Sequence, residues 1–141
     1  MCSKARLDGY TSALAEHGIE TDPELITEGD FTTPGGYAQS ISLLKRPNRP
    51  TAIFAGSDLQ AMGVYEAARQ LGLRIPEDLS VVGFDDVQTA AFLGPALTTV
   101  RQPLQDMARA AVRILVEALS TDDVIQTHII IPTSLVVRKS A

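Results

Sequence analysis

The sequence predicts an α/β fold in which a parallel sheet is covered by helices, and three observations carry that reading. Two short apolar runs, Thr-Ala-Ile-Phe-Ala-Gly at 51–56 and Ser-Val-Val-Gly-Phe at 80–84, are rich in β-branched and aromatic residues, as buried strands are. Both runs stop abruptly at polar pairs, Ser57-Asp58 and Asp85-Asp86. Stretches with helical spacing separate them, and strands that alternate with helices close most simply as parallel pairs with helical crossovers.

Residues 4–17 place Ala5, Leu7, Tyr10, Ala13 and Leu14 at helical spacing, and Gly18 follows as the residue that closes the helix. Residues 24–29 form a short extended candidate. Thr33-Pro34 then offers an N-cap followed by proline at the first helical position, opening a helix that runs to about Arg46. After a turn at 47–50 comes the strand at 51–56, with Ser57 and Asp58 as natural N-caps for a helix over 59–71 that Gly72 terminates. A surface turn at 75–78 precedes the strand at 80–84.

The last third reads differently. Residues 89–95 form an apolar loop containing glycine and proline, and Leu-Thr-Thr-Val at 97–100 leads into Arg101-Gln102-Pro103. Leu104, Met107, Ala108, Ala111, Leu115 and Leu119 recur at the spacing of an amphipathic helix, with Arg109, Arg113 and Glu117 on another face. Residues 127–131 and 134–137 read as two short strands broken by Pro132, which cannot donate to a ladder. Residues 138–141 look like a frayed end.

Composition excludes several functions. The chain has 141 residues, 45% of them hydrophobic, which suits one core rather than two domains. Its net charge is -5 and its 12 Lys and Arg are scattered, so it lacks the clustered basic surface that grips phosphates. The single cysteine, Cys2, can form no internal disulfide or multi-thiolate metal site, and no cofactor is expected. No apolar run reaches the roughly 18 residues of a membrane span, and the first residues lack a signal-peptide core, so a soluble, cytoplasmic protein without a membrane partner is expected.

Polar and aromatic residues gather at the predicted strand ends. Phe31 follows one strand, Ser57 and Asp58 the next, Asp85 and Asp86 the third, and Gln102 the fourth. Parallel strands would point them into one crevice at the carboxyl edge of the sheet, where open α/β sheets bind ligands. A carboxylate, an amide, a hydroxyl and an aromatic face together suit a neutral polyhydroxylated molecule such as a sugar. Asp58 reads as a helix cap rather than a ligand contact, and Asp86 as a solvated or capping acid of the loop.

Three blocks then carry a resemblance. Ala-Gly-Ser-Asp-Leu-Gln-Ala-Met-Gly (55–63), Ile-Pro-Glu-Asp-Leu-Ser-Val-Val-Gly-Phe-Asp-Asp (75–86) and Leu-Thr-Thr-Val-Arg-Gln-Pro (97–103) resemble, in order and spacing, the LacI/GalR family of bacterial transcriptional regulators. Arg-Leu-Asp-Gly-Tyr at 6–10 resembles the helix of that family that supplies a ligand-binding arginine, and residues 132–138 resemble its C-terminal ending. The resemblance implies the C-terminal part of a two-lobed effector domain with a periplasmic-binding-protein-like fold. It assigns 1–101 and 133–138 to the second lobe and the elements within 102–131, a helix and strand at about 104–131, to the first. It also implies that DNA is bound only through a domain absent from this chain.

By the same resemblance Arg6, Phe31, Ser57, Asp85 and Gln102 match ligand-contacting positions. Family members often carry asparagine where Ser57 stands, and a serine hydroxyl has shorter reach. Phe31 would stack on a sugar ring without a polar handle. The effector would be a small molecule, a sugar by preference, and the intact protein a homodimer with subunit contacts at 62–65 and 89–95. The alternative is an exported sugar-binding component of a transporter, which shares the two-lobed fold. Catalysis is not expected: adjacent residues of an extended strand point to opposite faces, His17 and His128 are isolated, and neither a nucleophile elbow nor a glycine-rich phosphate loop is present.

Overall fold

The structure, a computed structural model, describes residues 2–120 and 128–141. In chain order it contains α1 (Cys2–Glu16), a 3-10 turn (Pro23–Leu25), α2 (Thr33–Leu44), β1 (Ala52–Phe54), α3 (Asp58–Gln70), β2 (Ser80–Asp85), a second 3-10 turn (Gln88–Phe92), β3 (Thr98–Arg101), α4 (Leu104–Ser120) and β4 (Ser134–Val136). The strands form one sheet in the order β1-β2-β3-β4. β1, β2 and β3 run parallel and β4 pairs antiparallel with β3, so the predicted α/β class holds with one antiparallel edge.

Helices form where the caps require. Thr32, one residue before the predicted cap, accepts from the Gly35 amide at 3.0 Å, which places Pro34 in the first turn of α2. Ser57 accepts from the Gln60 amide at 3.2 Å and opens α3. Gly18 and Gly72 adopt φ of 68° and 69° just beyond α1 and α3, the left-handed conformation that ends a helix.

The core lies between α3 and the central strands, where Ala61, Val64, Ala67, Leu79, Val81 and Leu97 are nearly inaccessible. α2 lies on α3 through paired glycines. A Cβ on Gly63 would come 2.3 Å from the Tyr37 nitrogen and 2.7 Å from the Gly36 carbonyl carbon, and one on Gly36 would come 2.4 Å from the Gln60 carbonyl oxygen. The close crossing sets the entry points of both helices, hence the positions of Phe31 and Ser57.

Several expectations need correction. Residues 24–29 pair with no strand among the described residues; a 3-10 turn capped by Asp22 takes their first part. The 51–56 strand is an edge strand, and Ala52 and Phe54 are exposed. Of the predicted strand at 127–131, residue 127 lies outside the described residues and 128–131 carry no ladder. α4 is the amphipathic helix expected, yet it buries no residue, and Leu115 and Leu119 are exposed.

The end of the chain is pinned rather than frayed. The Val81 amide donates to the Ser140 carbonyl at 2.7 Å, and the fully buried Ser140 hydroxyl donates to the Val81 carbonyl while accepting from the Thr98 amide. The tail thereby fills the gap between β2 and β3 before their ladder starts at Val82↔Thr98.

Candidate functional site

The carboxyl ends of β1, β2 and β3 meet α1 in a crevice. Two residues past β1 stands Gly56, whose carbonyl accepts from the Arg6 guanidinium. β2 ends in Phe84 and Asp85, and the guanidinium carbon stands 3.8 Å from the centre of the Phe84 ring and 5.6 Å from that of Phe31. Stacking on an aromatic face favours a cation, and guanidinium presents a flat one. Asp85 Oδ1 lies 3.9 Å from Arg6 and accepts from Gln102 Nε2 at 2.5 Å. Gln102 follows β3, so the first helix and all three parallel strand ends contribute.

The backbone here is unusual. Phe31, Asp85 and Asp86 adopt φ of 61°, 114° and 56°, and they are the described non-glycine residues with positive φ. Such conformations cost about 1–3 kcal/mol each and persist where surrounding contacts fix them. Around Asp86 those contacts are ionic: Arg101 and Arg138 each donate to its carboxylate at 2.6 Å, and its side chain is 8% exposed. Burial pushes the Asp86 carboxyl up, but the hydrogen bonds and charges of Arg138 and Arg101 outweigh that and hold it below the usual value. The expectation of a solvated acid fails because two guanidiniums enclose it.

Of the predicted site residues, Arg6, Phe31, Asp85 and Gln102 come together. Ser57 stands apart: 4% exposed, its hydroxyl is engaged in capping α3. Asp58 is not the cap. It is fully buried, accepting from the Thr99 hydroxyl at 2.6 Å and the Val87 amide at 2.8 Å, and burial raises its carboxyl above the ordinary value. Sequence reasoning missed Phe84 and Gln60. Phe84 carries a signal, being next to Asp85 in an exposed-end strand, whereas Gln60 enters through space: a Cβ on Gly56 would come 2.9 Å from its Oε1 and 3.6 Å from the Phe31 ring.

Beside this cluster, a cavity of about 600 Å³ opens between α1, residues 25–29 and β1, with Arg6, Phe31, Gly56 and Gln60 on its wall. That volume is ample for a small ligand, and its lining joins aromatic and aliphatic surface to a few polar groups, as ligand sites do.

Comparison with known proteins agrees with this geometry. Residues 2–141 match the model of the periplasmic binding protein-like domain. The chain belongs to that family. It is 42% identical over 135 residues to the HTH-type transcriptional regulator MalR of Clostridium butyricum, covering 96% of this chain and 40% of that one. A transcriptional regulator CelR–cellobiose complex superposes with a TM-score of 0.92 at 38% identity, covering 96% of this chain and 42% of that chain. A regulatory protein of the LacI family from Chloroflexus aggregans gives 0.89 at 36% identity, with 96% and 49% covered. The chain therefore spans about two fifths of the curated relative, and the relatives are LacI-type regulators rather than enzymes or transporter components, as the sequence blocks implied. Among the described residues no helix is long and apolar enough to cross a membrane.

Proposed function

We propose that this chain is the effector-binding portion of a LacI-type transcriptional regulator and that it senses a small polyhydroxylated ligand, a sugar by preference. The observation that carries the reading is the meeting of Asp85, Arg6, Gln102 and Phe31 at the strand ends. A carboxylate accepts from paired hydroxyls, a guanidinium and an amide donate to them, and a ring packs against the C–H face of the sugar. The solved relative bound to cellobiose supports a sugar here. Ser57 serves as an outlying member of the set, through the cap that fixes Gly56.

In the intact protein, elements 1–101 and 133–138 form one lobe, and 102–131 contribute to the other. The lack of any buried residue on α4 supports that division. Ligand between lobes shifts the balance of lobe arrangements by its differential affinity, and a dimer transmits the shift to DNA-binding domains in the cytoplasm. Residues 89–95 form the subunit contact together with Met62 and Tyr65 of the 62–65 segment, whose Gly63 and Val64 are buried within the fold. Phe92 is exposed there, and the Tyr65 hydroxyl ties the two segments by donating to the Pro95 carbonyl at 2.8 Å.

The test is calorimetric titration of an intact protein carrying these residues with a panel of mono- and disaccharides. Asp85→Ala deletes charge-assisted hydrogen bonds worth about 1.5–3 kcal/mol, so affinity for the cognate sugar should fall roughly 10- to 150-fold. Equal affinity for wild type and variant would refute the assignment.

A further inference from the structure

A second carboxylate, that of Asp58, lies buried beneath the crevice. Asp58 is the first residue of α3, but Ser57 already caps that helix. Its Oδ1 accepts from Thr99 in β3 and its Oδ2 from the amide of Val87, the residue that follows the positive-φ pair Asp85-Asp86. Room for it depends on Gly83, where a Cβ would come 2.3 Å from Oδ1 and 2.8 Å from Leu97 Cδ2. A fully buried carboxylate facing two neutral donors is costly, so a fold has no reason to keep it for packing alone.

We propose that Asp58 is a positioning residue for the crevice: by fixing the Val87 amide it holds the Asp85–Asp86 turn so that the Asp85 carboxylate faces Arg6 and Gln102. The turn is tied at both ends. Upstream, Asp85 pairs with Arg101 in the β2–β3 ladder; downstream, Asp58 takes the Val87 amide. The Asp86 side chain is occupied separately by Arg101 and Arg138, so it cannot substitute for Asp58 at the backbone. With both ends held, two residues in an unfavourable conformation have no route back to an extended path. The inference rests on Asp85 being the ligand carboxylate, but its test needs no ligand, so the two can fail separately.

The test is solution NMR of this chain with Asp58→Asn and Asp58→Ala. Asparagine can turn its carbonyl to the Val87 amide and its NH2 to Thr99, whose hydroxyl reverses from donor to acceptor, so the geometry survives without the charge. D58N should keep the Val87 amide exchange rate and the Gln102 side-chain amide shifts of the parent. D58A should exchange the Val87 amide roughly tenfold faster or more, as expected for losing one hydrogen bond, and move the Gln102 amide toward its free position while Val64 and Val81 stay protected. If D58A does not fold, Thr99→Val, which keeps the shape and deletes only the hydroxyl, should shift the same two signals in the same direction. Unchanged Gln102 shifts in whichever variant folds would overturn the proposal, and so would D58N behaving like D58A.

Discussion

Substituting Gly63 by alanine tests the helix crossing that places the crevice. The change adds one methyl group, and its carbon would stand 2.3 Å from the Tyr37 nitrogen, 2.4 Å from the Thr33 carbonyl oxygen and 2.7 Å from the Gly36 carbonyl carbon. Ordinary contact needs about a further ångström, and all three atoms belong to backbone that cannot rotate away. Overpacking costs about 1–3 kcal/mol, with rigid neighbours at the upper end. Alanine in place of glycine within a helix returns about 1 kcal/mol. The net is a loss of about 2 kcal/mol, which at a urea slope of about 2 kcal/mol/M lowers the unfolding midpoint by about 1 M. Gly9 in α1 is the control: nothing lies within 4 Å of its missing Cβ, so Gly9→Ala should be neutral or stabilising by up to about 1 kcal/mol. A Gly63→Ala variant as stable as the parent would refute the account of α2 on α3.

Two further outcomes are expected. Ser140→Ala leaves the Thr98 amide without its hydroxyl acceptor and the Val81 carbonyl without that donor, at about 1–3 kcal/mol, readable as a fall in the thermal midpoint. The Asp86 carboxyl is held below its ordinary value of 3.8 in the fold, so its stabilising contribution is present above about pH 4 and is lost as pH falls through its folded value. Asp86→Asn should therefore reduce stability at pH 7, by urea titration, and narrow its gap to the parent as pH falls below about 4; a gap independent of pH would count against the ionic enclosure.

The helices and the central strand were legible because their signals are local. Spacing and caps sit within a few residues, and Gly18, Ser57 and Gly72 end or begin helices as their chemistry demands. What escaped depends on distant partners. The apolar run at 52–54 looks the same at a sheet edge as in its centre, since a strand's sequence does not name its neighbours. Asp58 reads as a cap until Thr99, 41 residues on, is brought against it. Asp86 is enclosed only because Arg138 returns across 52 residues. The gathering of Arg6, Phe31, Asp85 and Gln102 was largely readable, since parallel strands force their carboxyl ends together, although the inward turn of the Ser57 hydroxyl was not.

The buried tail also bears on how this chain is made. Ser140 seals the start of the β2–β3 pair by bonding Val81, 59 residues earlier in the chain. At ribosomal rates of about 5–20 residues per second, Val81 is polymerised roughly 3–12 s before its partner. From the synthesis of Thr98 until Ser140 is added 42 residues later, the start of the β2–β3 pair stands open, with donors and acceptors that a neighbouring nascent chain could occupy. The start of the central pair is thus sealed only after all four strands have been built, and the exposure to mispairing there lasts until one serine arrives.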